Sequence, residues 1–220
     1  MDKNLNIQLN ELINKKNFHQ AEIIIENILK NEPQNTELWL IYAKMELTIP
    51  LVDFIKSMEC LNQILEYDKT NFEAILLLCC IKHFWLGGVD DELMAKLDSI
   101  KTNDKEKLSM IEYVKSWYYD IKEDNKMYEQ VLLKSIELFS GHVFNYKALG
   151  QFYIKHGRIK EGKELIKLAL KNVQFIYSKD SDFANYDHIN LNQYFNQLVK
   201  GTYISLVVYE SIKENLLIND

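Results

Sequence analysis

A chain of 220 residues with 47% hydrophobic and 26% charged side chains can bury a substantial core, which excludes disorder of the whole. Its 7 glycines and 2 prolines are too few for a sandwich or barrel, which needs a turn every ~8–12 residues, so helices are expected. A net charge of −6 and a single arginine, Arg158, among 26 basic residues leave little guanidinium for phosphates or guanine edges, so nucleic acid is disfavoured as the main partner.

The opening stretch, MDKNLNIQLNELINKK, has no uninterrupted apolar core of signal-peptide type. No later run reaches the ~18 apolar residues of a membrane span. Cys60, Cys79 and Cys80 are odd in number and lie in apolar surroundings, and the neighbouring pair points to different faces of a helix, so a disulfide framework is not expected. These features predict a cytoplasmic protein with no membrane partner.

In chain order, Leu5, Leu9 and Leu12 supply a first amphipathic helix, and Ala21, Ile25 and Ile28 a second that ends at Pro33. Residues 17–39 then align with residues 53–75 at a constant offset of 36: Phe18 meets Phe54, Ala21 meets Ser57, Ile25 meets Leu61, Glu32 meets Asp68 and Asn35 meets Asn71. A period of this length marks an array whose units cannot bury their apolar faces alone. Trp39, Tyr42 and Ala43 open the second unit. A third has an apolar first helix that breaks at Gly87-Gly88, then a short, poorly patterned second helix. The fourth runs from Lys105 to about Phe139, with Leu108, Ile111, Val114, Trp117, Tyr118 and Ile121 before a turn at Lys122–Asn125, and Tyr128, Leu132, Ser135 and Ile136 after it.

The clearest unit spans residues 146–170. Tyr146, Leu149, Gly150 and Tyr153 share one helical face, Gly157 ends that helix, and Gly162, Ile166 and Ala169 form the contact stripe of the next. Small residues at 150 and 162 predict two backbones in close approach. After it, residues 177–190 read as a loop and Leu191–Leu217 as a helix that caps the array's exposed end, with Tyr194, Leu198, Val207 and Ile212 apolar. Within it, YISLVVY (203–209) is a strand candidate by propensity.

A large residue, Leu, Gly and Tyr on one helix, a glycine turn, and small, large, small on the next resembles the tetratricopeptide repeat. Four of the seven glycines lie between 141 and 162, as that resemblance requires. It covers roughly residues 2–175, with departures at Gln8, where Leu is usual, and Glu46, where an aromatic is usual. It implies an all-α, right-handed array of antiparallel helix pairs over residues 1–175, about five of them. A loop and a C-terminal capping helix over 176–220 belong to the same domain.

Family resemblance places the concave face on the first helix of each unit. The implied partner-binding residues are Glu37, Leu40, Lys44 and Leu47; Glu73, Leu76, Cys80 and His83; Glu112, Ser116 and Tyr119; and Lys147, Gln151, Ile154 and Lys155. Both charge signs mixed with aliphatic and aromatic groups suit a peptide or protein surface. The Lys/Asn/Arg clamp with which some family members hold a chaperone's C-terminal carboxylate is absent, since Leu40 takes one of its basic positions.

Features that carry chemistry elsewhere read here as structure. Cys79, Cys80 and His83 offer at most two ligands to one metal, and no further Cys or His pair follows at finger-like spacing. His19, His83, His142, His156 and His188 stand in no frame with a nucleophile, and Ser140-Gly-His142 lacks the G-x-S-x-G pattern of an elbow. Gly87-Gly88 lacks the glycine spacing and the Lys-Ser/Thr of a phosphate loop, and Asp90-Asp91-Glu92 reads as a helix start.

The sequence therefore predicts a non-catalytic adaptor that binds another protein or peptide, with no metal, small-molecule or other cofactor. An alternative in the same class is an immunity or inhibitor protein that neutralises a basic toxin, so the partner would be basic. A third reading is an RNA-processing scaffold, because Trp39-x-x-Tyr42-x-x-x-Glu46 also resembles half-a-TPR repeats.

Overall fold

The computed structural model describes residues 3–48, 50–176 and 206–218. These residues hold eleven α-helices: α1 (Lys3–Asn14), α2 (Phe18–Leu29), α3 (Thr36–Glu46), α4 (Phe54–Tyr67), α5 (Phe72–Trp85), α6 (Asp91–Ser99), α7 (Lys105–Ile121), α8 (Asn125–Leu138), α9 (Val143–Lys155), α10 (Ile159–Ile176) and α11 (Leu206–Glu214). A 3-10 turn, Asn215–Leu217, closes the series, and there is no strand among the described residues. The chain divides into two compact units, α1–α6 and α7–α11, each made of sequential antiparallel pairs.

Helix starts are fixed by side-chain caps, each of which stabilises its helix by about 1 kcal/mol. Asn35 and Asn71, the matched pair of the 36-residue repeat, accept the backbone N–H of Leu38 and Ala74 at 3.1 Å. Asp53, Asp90, Asp104 and Asp124 do the same for α4, α6, α7 and α8. The acidic Asp90-Asp91-Glu92 run thus opens α6, where carboxylates favour the exposed N–H groups.

The first-to-second helix turns repeat a backbone signature. Lys16, Glu123 and Gly157 take φ of 58°, 55° and 78°. The next residue's N–H returns to the third-last helical position in each case: Asn17 to Leu12 O, Asp124 to Tyr119 O and Arg158 to Tyr153 O, at 2.8, 3.0 and 2.9 Å. This is the Schellman arrangement that satisfies the last orphan carbonyls of a helix. Gly87 and Val52, with φ of 89° and 45°, give the other two turns a left-handed residue as well.

In the first unit Leu9, Ala21, Ile25, Leu38, Leu61, Ile64 and the middle of α5, Ala74 to Ile81, are buried. Ser57, which replaces Ala21 in the repeat, is fully enclosed and donates to Ala43 O at 2.9 Å. In the second unit α9 and α10 meet glycine to glycine. A Cβ at Gly150 would lie 2.9 Å from Gly162 O, and one at Gly162 would lie 2.6 Å from Gly150 O. The small residues at these two positions therefore do let the backbones touch.

Ile212 of α11 is buried with Val143, Tyr146, Ile166, Ala169 and Val173, and Tyr209 and Leu216 pack beside it at helical spacing. That spacing makes residues 206–209 helix and overturns the strand alternative there. The predicted loop at 177–190 and the start of the predicted cap helix at 191 lie outside the described residues.

Candidate protein-binding surface

Residues implied for the partner face fall into three environments. Glu37 and Lys155 are exposed, and Leu40, Leu47, Glu73, His83, Tyr119, Lys147, Gln151 and Ile154 are half-buried. Lys44, Leu76, Cys80, Glu112 and Ser116 are buried.

The buried members have specific reasons. Counting back seven residues from the left-handed residue that ends α1, α5, α7 or α9 gives Leu9, Cys80, Ser116 and Gly150, all of them enclosed. Cys80 and Ser116 thus occupy the register of Gly150, which faces the paired helix, and they offer no surface. Leu76 belongs to the same interior. Ile154 is half-committed as well, since its Cγ1 lies where a Cβ on Gly162 would go. Lys44 pairs with Glu73 at 3.1 Å, and Glu112 lies between Lys134 at 2.9 Å and Lys115 at 3.5 Å.

The same register finds residues that the sequence reading passed over. Tyr113 and Trp117 occupy the positions on α7 that Lys147 and Gln151 occupy on α9. Their rings meet edge to face at 5.4 Å, and Tyr113 stacks on Phe144 at 6.2 Å. A count from the helix end, rather than from the apolar stripe, is the signal that locates them. Gln151 donates weakly to Asn215 Oδ1 at 3.4 Å. Lys147 is half-buried without an ion pair among the described residues, and desolvation lowers its ammonium below the usual lysine range.

His142 is not a plain turn residue. It is buried at the N-cap of α9, with Nδ1 3.2 Å from Ser109 Oγ and Nε2 3.8 Å from Glu106 Oε1. Ser109 Oγ donates to Ser135 O and Ser135 Oγ to Ser109 O, both at 2.7 Å, and Asn145 donates to Ser135 Oγ at 3.2 Å. Serine, histidine and glutamate are neighbours here, yet the Ser109 hydroxyl is enclosed and its proton is committed to a carbonyl. The cluster ties α7, α8 and α9 together. Burial pushes His142 down to about 4, so its ring is neutral at pH 7.

Cys60, Cys79 and Cys80 are free and buried, and burial raises all three thiols, those of Cys60 and Cys80 to about 12. That environment makes them packing residues with little thiolate character. The sole arginine is engaged within the second unit. Arg158 lies 3.5 Å over the Tyr153 ring and pairs with Glu129 at 2.7 Å and Glu161 at 2.6 Å.

No protein-family model matches this chain, and no curated protein matches it. Solved structures do. The crystal structure of MamA is similar over 81% of this chain and 99% of its own, at 22% identity and a TM-score of 0.60. That of PilW, a type IV pilus biogenesis factor, is similar over 100% of this chain and 94% of its own, at 18% identity and a TM-score of 0.62. Likeness at such identities is a likeness of fold, here the tetratricopeptide-like stacking of helical pairs. Among the described residues no helix is long and apolar enough to cross a membrane.

Proposed function

We propose that this protein is a non-catalytic adaptor that holds a partner polypeptide against the first-helix faces of its pairs. Lys147 carries the reading: a half-buried ammonium with no counter-ion among the described residues is stabilised when a partner supplies a carboxylate. Around its register, Tyr113, Tyr119 and Gln151 offer the aromatic and amide groups that protein interfaces favour. In the first unit the corresponding surface is Glu37, Leu40, Leu47 and His83, with Glu73 held by Lys44. The compartment that suits three buried, unbridged thiols is the reducing cytoplasm.

The test compares capture by the native chain with capture by a Tyr119→Ala, Lys147→Glu double variant, using affinity purification from the native organism and mass spectrometry. Loss of the partner with an unchanged helical circular-dichroism spectrum is expected. Undiminished capture would mean that these faces are not the binding surface.

A second reading, neutralisation of a basic toxin, draws on the charge distribution. Residues 18–68 hold nine acidic and three basic side chains, which accounts for the whole net charge of −6. Attraction of this kind speeds association and weakens with salt. An association rate with a basic partner that stays constant between low and high salt would count against it.

A further inference from the structure

The same acidic stretch lines an open cavity of about 500 Å³ among α2, α3 and α4, on residues outside the first-helix faces described above. Its apolar wall is Leu29, Cys60 and the rings of Trp39 and Tyr42, which lie 11° from parallel with centroids 6.3 Å apart. Glu26 and Glu59 line it, and Glu59 has no hydrogen bond or ion pair among the described residues.

The neighbourhood already stabilises one ammonium. Lys56, also in the lining, pairs with Glu22, lies 3.8 Å from Glu26 and stands 4.8 Å over the Tyr42 ring. The single Tyr42 hydroxyl proton is shared between Glu22 at 2.8 Å and Glu26 at 3.0 Å. The carboxyl group of Glu46, a residue 4% exposed, has no hydrogen-bond partner among the described residues. Burial and the carboxylates of Glu22, Asp53 and Glu26 raise it to about 6. Around Lys56 the carboxylates of Glu22, Glu26 and Glu46 outnumber the single ammonium, and the lining adds Glu59 and Lys30. An apolar, aromatic wall beside surplus carboxylate suits a side chain with an alkyl stem and a cationic head.

We propose that this cavity receives a lysine or arginine side chain of a partner polypeptide, with its stem along Leu29, Cys60 and Trp39 and its charge toward Glu26 and Glu59. The proposal rests on the reading of the chain as a protein-binding molecule and adds a second surface with a defined partner chemistry.

The test titrates decalysine into the full ¹⁵N-labelled chain and follows the three tryptophan indole resonances. Trp39 lines the cavity and its Nε1–H donates to Pro33 O at 2.8 Å, whereas Trp85 and Trp117 lie elsewhere in the chain. A saturable shift of Trp39 alone is expected, with none from decaglutamate. A Glu26→Gln, Glu59→Gln variant should bind decalysine about ten-fold more weakly, equivalent to ~1.4 kcal/mol. Both glutamates are exposed, so the fold is retained. The Tyr119→Ala, Lys147→Glu variant should bind as the native chain does. A stationary Trp39, equal shifts of all three indoles, or affinity unchanged in the Gln variant would overturn the cavity assignment. None of these outcomes bears on partner capture through the first-helix faces, which fails separately if the Tyr119 and Lys147 changes leave capture intact.

Discussion

The pairs α7–α8 and α9–α10 belong to one unit and share one turn geometry, but they solve close contact differently. In α9–α10 the Cβ atoms are removed, and Gly150 and Gly162 bring each backbone against the other's carbonyl. In α7–α8 a serine on each helix converts the close approach into reciprocal hydrogen bonds, Ser109 to Ser135 O and Ser135 to Ser109 O. In the first unit Ser57 makes a one-way contact, donating to Ala43 O. By the helix-end register these are different places in the repeat: Ser109 and Ser135 stand where Val143 and Ala169 stand in α9–α10, whereas Ser57 stands where Gly162 does.

The largest expected effect tests the glycine contact. Gly162→Ala puts a Cβ 2.6 Å from both Gly150 O and Ile154 Cγ1, so it should cost about 3 kcal/mol, the upper range for overpacking. Urea unfolding measures it, and a loss under ~1 kcal/mol would mean that the two helices can separate at little cost.

The serine pair is tested next, through the histidine that leans on it. The folded chain keeps His142 neutral down to about 4, whereas an unfolded histidine protonates near 6.5. The unfolded state thus binds more protons in that window, and stability falls as pH drops from 6.5 toward 4, by about 2–3 kcal/mol in total. Carboxylates add their own slope, so the measurement is the difference between native and His142→Gln chains. The variant's stability should fall less steeply, and parallel curves would refute the assignment.

The smallest effect concerns the shared turn. Gly157 and Glu123 occupy the same left-handed position with the same return hydrogen bonds, but only glycine adopts it without strain. Glu123→Gly should stabilise by about 0.5–1 kcal/mol, and Gly157→Ala should destabilise by about 1 kcal/mol. Thermal melts that move the same way for both would show that the two turns are not equivalent.

Much of the fold was legible residue by residue. Phe18 and Phe54, Ala21 and Ser57, and Asn35 and Asn71 announced a repeat, and the two asparagines proved to be helix caps. Gly150, Gly157 and Gly162 marked a turn and a contact because nothing but glycine is comfortable there. The partner face was less legible. Family resemblance puts Cys80 and Ser116 on the partner face, and only the helix-end register exposes them as equivalents of Gly150.

Helix content, the pairing of helices and the period near 36 residues were set by the sequence itself, because apolar spacing and caps act within a turn or two of the chain. The neutral His142 and the cavity beside Trp39 were decided by tertiary structure. Each depends on residues far apart in sequence meeting at fixed distance, where packing overrides what a lone side chain prefers.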